Sequence, residues 1–344
     1  MEHFVPFEIA ICEKTGNADR KAYPLIPDPD RPFHPFKIRD PFGLRNAVVP
    51  VFRQDTEGQI FGMGTAFSIN EFGTFLTAHH VIDFGEQSAS SRPLLFLSMQ
   101  AIVFGRVGIP DDCFVPIMSA QAPDMDSENP MAALQGGSQR QIAMDIAIMQ
   151  ASPLGKGVRP PHTLKVRVND WEPRVGEIVF AVGYPVLDLS KLSADSQNML
   201  LSEGMYGAYG RIVGVHPCGV GRSNPSPVFE VETDWPGGMS GGPVFNQAGE
   251  VVGIVSRSIR AEAGLGGTGF AVDLGQCHGI QVFAPSLDAP GWQICWGLFL
   301  ENESDPVSVH ASDEQAAKAG DVLGRPFSTR KISNEIGTKN WMLA

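Results

Sequence analysis

The sequence predicts an all-β fold of the barrel or sandwich class, ending in a short helix and a tail. Three observations predict it. From Ala47 onward the chain is a succession of short β-type runs separated by Gly, Asn, Asp or Pro. The runs fall into two successive series. Helical periodicity is scarce until the last part of the chain.

Residues 1–45 are rich in proline, as in Pro24-Leu25-Ile26-Pro27-Asp28-Pro29. Proline lacks the N–H that a ladder needs, so this part is expected to be an extended lead-in wrapping the body. The first series of runs lies at 47–51, 64–69, 74–77, 94–104 and 146–149, within a unit expected at 46–160. The second lies at 177–182, 209–215, 228–233, 243–245, 251–256 and 269–272, within a unit expected at 161–275. Two intervals, 110–139 and 187–204, lose any clear period and are expected as long excursions, a feature that is usually functional or disordered. In the extension at 276–344, Ser312 and Asp313 start an alanine-rich stretch and Gly320 ends it, so the spacing predicts a short helix over 312–320.

The 344 residues are 43% hydrophobic, enough for a real core, and carry a formal net charge of −12. That charge argues against nucleic acid or an anionic membrane as partner, since both need clustered Lys and Arg. Five cysteines, an odd number at scattered positions, argue against a disulfide framework or a metal site. The first 20 residues lack the basic start and apolar stretch of a signal peptide, and no apolar run approaches the roughly 20 residues needed to span a bilayer. The expected setting is therefore the reducing cytoplasm.

The sharpest chemical signal is Gly237-Gly238-Met239-Ser240-Gly241-Gly242-Pro243. A serine among glycines presents its hydroxyl on an open turn, and glycine torsions let the N–H groups of Gly238 and Ser240 converge on a developing oxyanion. A glycine-rich hairpin loop without chemistry is the bland alternative. A serine hydroxyl needs a base to activate it, and the base needs a third group to fix its tautomer. Thr77-Ala78-His79-His80 places two histidines where an apolar run ends, and Met144-Asp145-Ile146-Ala147 sets one carboxylate at the start of another. Such a carboxylate, if buried, demands a donor, and an imidazole N–H suits it. Alone, the histidines read as structural and Asp145 as a solvent-facing strand start.

Together the segments Leu76-Thr77-Ala78-His79-His80-Val81, Met144-Asp145-Ile146-Ala147-Ile148 and Gly238-Met239-Ser240-Gly241-Gly242-Pro243 resemble the trypsin/chymotrypsin superfamily in its order His, Asp, Ser. The resemblance runs from about residue 47 to 274 and implies a chymotrypsin-like double β-barrel. It selects His80 over His79 as base, with Asp145 orienting it and Ser240 as nucleophile. It implies an oxyanion hole at Gly238 and Ser240, and substrate contacts at Asp234, Trp235, Ser256, Arg257, Ser258 and Gly269. Met239 replaces the aspartate that pairs with a freed amino terminus in the digestive and clotting members, so that mode of activation is expected to be absent. The chain looks more like the bacterial branch, including the high-temperature-requirement proteases and glutamyl endopeptidases.

The function implied is a serine endopeptidase acting on a protein or peptide, without metal or organic cofactor. Its side-chain preference stays open between basic, acidic and small apolar residues. An unregulated endopeptidase in the cytoplasm is hazardous, so control by a protein partner or by processing is a further expectation. The rivals are a catalytically idle, protease-like scaffold or partner-recognition module, and an esterase with the same nucleophile.

Overall fold

The computed structural model describes residues 8–13, 18–22, 33–38, 44, 47–70, 73–83, 92–96, 114–122, 144–151, 162–168, 171–185, 204–220, 226–259, 267–276, 292–310, 312–335 and 341–343. Six strands form a closed barrel in the order β4 (Val48–Gln54), β5 (Ile60–Ser68), β6 (Thr74–Thr77), β9 (Ala147–Ala151), β8 (Phe114–Gln121) and β7 (Arg92–Phe96). Alternation of side chains on a strand puts every second residue inside, and Phe52, Phe67, Phe75 and Met149 are buried accordingly.

A second series follows in the order β11 (Ile178–Gly183), β14 (Pro243–Phe245), β15 (Val251–Ile259), β16 (Thr268–Asp273), β13 (Val228–Glu232) and β12 (Tyr206–His216). A further pairing of β11 with β12 joins its two ends, so these six strands also return on themselves. Each contributes to one buried cluster: Val179 and Ala181, Ala208 and Ile212, Phe229 and Val231, Val244, Val255, and Ala271. The alternate residues Phe180, Val182, Tyr209, Phe245, Ile254 and Val272 join the core that continues into the first barrel. Period-two patterning thus serves both the interior of the second barrel and its packing against the first. The double β-barrel expected from the sequence is the fold observed.

The runs expected at 74–77 and 243–245 coincide with β6 and β14, and most others shift by a few residues at their ends. The run expected at 94–104 is seen as β7, with residues 97–104 outside the described ones. The excursion expected at 110–139 needs correction, because β8 lies within it, paired with β7 and β9. Proline at position 116 hides the strand pattern there. The remainder of that interval beyond residue 122, and residues 187–203, lie outside the described residues.

The lead-in does reach across the body, but as strands. A hairpin of β1 (Glu8–Glu13) and β2 (Ala18–Ala22) pairs with β10 (His162–Leu164) in the segment between the barrels. β3 (Phe36–Lys37) adds to the edge of β12.

The C-terminal extension is more than a helix and a tail. β18 (Ser308–His310), β17 (Trp292–Leu300), β19 (Phe327–Glu335) and β20 (Trp341–Leu343) form an antiparallel sheet in that order. On one face it carries α2 (Asp313–Leu323), whose Ala319 and Leu323 pack with Leu298, Leu300 and Val307. Ser312 caps α2 as expected, its side chain accepting from the Gln315 N–H at 3.3 Å. The helix runs past Gly320 and stops at Gly324, which takes φ +58°. Gly320 is there for packing: a Cβ would stand 2.4 Å from the Phe327 ring.

Candidate active site

The loop that carries Ser240 is two tight turns in succession. Met239 N–H donates to Pro236 O at 3.3 Å and Gly242 N–H to Met239 O at 2.9 Å. The third residues of these turns, Gly238 and Gly241, have φ of +91° and +85°. A type I turn would need φ near −90° there, so both are type II, a conformation that favours glycine. At Gly241 a side chain is also excluded by contact, since a Cβ would fall 2.0 Å from Thr65 O. In a type II turn the middle peptide is turned over relative to type I. Among the described residues the N–H groups of Gly238 and Ser240, on half-buried residues, have no protein acceptor.

His80 comes from the first barrel. After β6 the chain enters a single helical turn, α1 (His79–Ile82), in which Val81 is buried and His80 stays about half exposed. His80 Nδ1 lies 2.8 Å from Asp145 Oδ2 and 3.0 Å from Oδ1, and the His80 N–H donates to Oδ1 at 3.0 Å. A carboxylate only accepts, so Nδ1 carries the proton and Nε2 keeps its lone pair. Of the two adjacent histidines, His80 is the one hydrogen-bonded to Asp145.

Asp145 itself is held from the second barrel. The Ser256 hydroxyl donates to Oδ2 at 2.5 Å, and the Asp145 N–H donates to Ser226 Oγ at 2.6 Å. Burial pushes the Asp145 carboxyl up, but the hydrogen bonds and electrostatic attraction of His80 and the Ser256 hydroxyl more than offset this. The net result lies below its ordinary value, so Asp145 is an anion at neutral pH. Ser256 reaches it because β15 bulges there: Val255 faces Ala271 and Arg257 faces Phe270, leaving Ser256 unpaired across the ladder.

Ser240 meets this cluster through the same residue. Its hydroxyl donates to Ser256 O at 3.1 Å and makes no hydrogen bond to His80. Serine has one side-chain torsion, so a change of χ1 well is the movement that re-points its hydroxyl.

Thr65 on β5 ties the loop to the first barrel. Its N–H donates to Ser240 O at 2.8 Å and its hydroxyl donates to Gly238 O at 3.0 Å. The same hydroxyl accepts from Tyr184 N–H at 2.9 Å, just after β11. Thr77 in turn donates to Thr65 O at 2.7 Å. Thr65 is fully buried, so each of these bonds is shielded from competing water.

The remaining residues expected to touch substrate are placed unequally. β15 pairs with β14 only as far as Ile254, and among the described residues no other strand lies on that side of Arg257, Ser258 and the exposed Ile259. Asp234 faces outward, its Oδ2 3.6 Å from His34 Nδ1. Trp235 is buried, with its ring packed over Gly269.

Residues 64–254 match the family described as the trypsin-like peptidase domain, more than half of the chain. The chain belongs to the trypsin-like peptidase family. No curated protein matches it. Among solved structures it is similar to the Rv3671c protease from M. tuberculosis. The inactive form is 19% identical, with a TM-score of 0.40, covering 68% of this chain and 87% of that one. The active form is 17% identical, with a TM-score of 0.41, covering 68% and 79%.

The family match ends at residue 254, two residues before Ser256, and leaves the C-terminal sheet outside it. Thr65 and Ser226 were not singled out from the sequence. Threonine in an apolar β run reads as an ordinary strand former, and Ser226 between two prolines reads as a turn. Ser256 was expected among the substrate contacts, and its side chain turns inward to Asp145. Among the described residues no helix is long and apolar enough to cross a membrane.

Proposed function

We propose that this trypsin-like peptidase chain is a serine endopeptidase in which Ser240 is the nucleophile, His80 the general base and Asp145 the group that orients it. The observation that carries the reading is the imidazole of His80, bound through Nδ1 to a largely buried carboxylate, which leaves Nε2 facing away from it. In the reaction Ser240 Oγ bonds to the peptide carbonyl carbon while its proton passes to His80 Nε2. The carbonyl oxygen becomes an oxyanion, which the N–H groups of Gly238 and Ser240 bind. The C–N bond then breaks, His80 gives its proton to the leaving amine, and an acyl-Ser240 ester remains. Water attacks that ester with His80 again taking the proton, which returns to Ser240 as the acid departs. Beyond Val255 no strand among the described residues pairs with β15 on the side of β14, and a substrate strand can be laid along it there.

One observation favours the rival reading of an idle scaffold: the Ser240 hydroxyl is spent on Ser256 O rather than aimed at His80. A partner or a cleavage that re-points this hydroxyl would then be the switch, and the cytoplasm the expected setting. An aminoalkyl phosphonate diphenyl ester decides between the two. It should label the wild-type protein and leave Ser240→Ala unlabelled, and digestion of a peptide library should fall by about a millionfold in that variant. A folded wild type that takes no label and cuts nothing would leave the scaffold standing.

A further inference from the structure

We infer that Met239 is a positioning residue for the hydrolysis: its buried side chain anchors the point where both turns of the Ser240 loop close, and so holds the N–H groups of Gly238 and Ser240 on one oxyanion. This rests on the proposed function and adds a residue to the same site.

Met239 is shared by the two turns. As the last residue of the first it donates its N–H to Pro236 O, and as the first residue of the second it accepts the Gly242 N–H on its carbonyl at 2.9 Å. Each bond governs one of the two donors. The Gly238 N–H belongs to the middle peptide of the first turn, whose ends stay together through the Met239 N–H. The Ser240 N–H shares a planar trans peptide with Met239 O, so the bond that aims the carbonyl aims the N–H the opposite way.

The backbone of this loop has little stiffness of its own. Gly237, Gly238, Gly241 and Gly242 make up most of residues 237–242, and glycine loses the most conformational freedom on being fixed. Of residues 236–240, Met239 is the one that is buried; Pro236, Gly238 and Ser240 are half-buried and Gly237 is exposed. The Ser240 side chain has to stay free to react. Met239 is thus the side chain left to fasten the turns, and it enters the buried cluster of the second barrel with Val179 and Ala181 of β11, Val244 of β14 and Val255 of β15.

Neighbouring glycines let the Met239 backbone come close. At Gly183, which ends β11, a Cβ would stand 2.9 Å from Met239 Cα and 3.2 Å from its Cβ. At Gly242 a Cβ would stand 2.9 Å from Met239 O and 2.0 Å from Val182 O. This close approach fixes where Met239 Cα lies, and the buried side chain fixes which way the residue is turned. A shorter side chain keeps the first constraint and gives up part of the second, which loosens the bonds to Pro236 and Gly242 that close the turns.

Hydrolysis of a fluorogenic peptide taken from the library digest tests this, with active sites counted by complete labelling with the phosphonate, so that molecules that fail to fold drop out. Met239→Ala should lower kcat per site about 30-fold with KM within about twofold, since the oxyanion exists only beyond the ground state. A peptide boronate, whose tetrahedral adduct uses the same N–H groups, should bind that variant more weakly by about the same factor. Met239→Leu, which keeps an apolar chain of similar volume, should recover kcat to within about threefold of wild type. Should Met239→Ala give no folded protein, Met239→Val reads the same loss at about fivefold. An unchanged kcat per site in the truncated variants, or equal losses in Met239→Leu and Met239→Ala, overturns the inference while upholding the peptidase. A folded wild type that takes no label and cuts nothing overturns the peptidase reading and this inference with it.

Discussion

Thr65 shows how one side chain can govern a site it does not enter. Its hydroxyl holds the Gly238 carbonyl, its N–H holds the Ser240 carbonyl, and both groups belong to the residues whose own N–H groups are proposed to bind the oxyanion. The side chain therefore sets the plane of the Gly238–Met239 peptide, which lies between the peptides that carry the Gly238 and Ser240 N–H groups. Thr65→Val keeps the shape but deletes the donor and leaves the buried Tyr184 N–H without its acceptor, which costs about 1–3 kcal/mol of stability. The loss of turn alignment should appear in kcat, about 10- to 100-fold down, with KM little changed, because the oxyanion exists only beyond the ground state. Thr65→Ser, which keeps the hydroxyl, should recover most of it. Equal losses in both variants, or a loss confined to KM, would remove Thr65 from the positioning of this turn.

The turns of the nucleophile loop make a matching case among the elements. Gly238 takes φ +91° and Gly237 does not need a positive φ, and a Cβ on Gly237 would meet nothing within 4 Å. Gly237→Ala should thus leave peptidase activity within about twofold, while Gly238→Ala should favour the type I alternative, turn the donor away and lower kcat by roughly 100-fold. Assays of the two purified variants side by side check this, and comparable activity in both would sink the turn argument. The glycines of this loop were legible in the sequence because only a turn of unusual torsion needs so many of them. The strands of the two barrels were legible as well, since apolar residues such as Phe75 and Phe180 sit between turn formers. Three groups of strands were not. β8 hides behind Pro116, β1 to β3 lie in a segment whose prolines argue against ladders, and β17 and β19 form a long-range pair separated by a helix, for which local pattern has no signal. The meeting of Ser256 with Asp145 was also invisible, because it depends on a bulge that re-aims one side chain.

Across the whole molecule, two titratable groups outside the site bear on stability. Between the barrels, Glu250 receives Lys165 at 2.8 Å and Arg167 at 3.4 Å, while the Val251 N–H and carbonyl bond the backbone of the same two residues. Burial pushes the Glu250 carboxyl up, and its hydrogen bonds and the two cations bring it below its ordinary value. Glu250→Gln should cost about 2 kcal/mol, read as a lower denaturation midpoint, and an unshifted midpoint would show the ion pairs to be idle. In the C-terminal sheet the sensitive group is His310 on β18, which is 5% exposed, with Nε2 2.8 Å from Ser308 Oγ. Burial pushes its imidazole down from 6.5 to about 4. As pH falls, the unfolded chain therefore takes up a proton near 6.5 while the folded one resists until about 4, so the contribution of His310 is whole above 6.5 and drains away between these values. By pH 5 the loss is on the order of 2 kcal/mol, and it falls on the sheet that contains β18. Hydrogen exchange at pH 7 and pH 5, corrected for the intrinsic rate, should show protection falling in β17 and β18 before it falls in β5 and β15. His310→Gln, which cannot take up the proton, should flatten that difference. Protection in β18 that holds at pH 5 as it does at pH 7 would mean that His310 stays neutral without cost to the sheet around it.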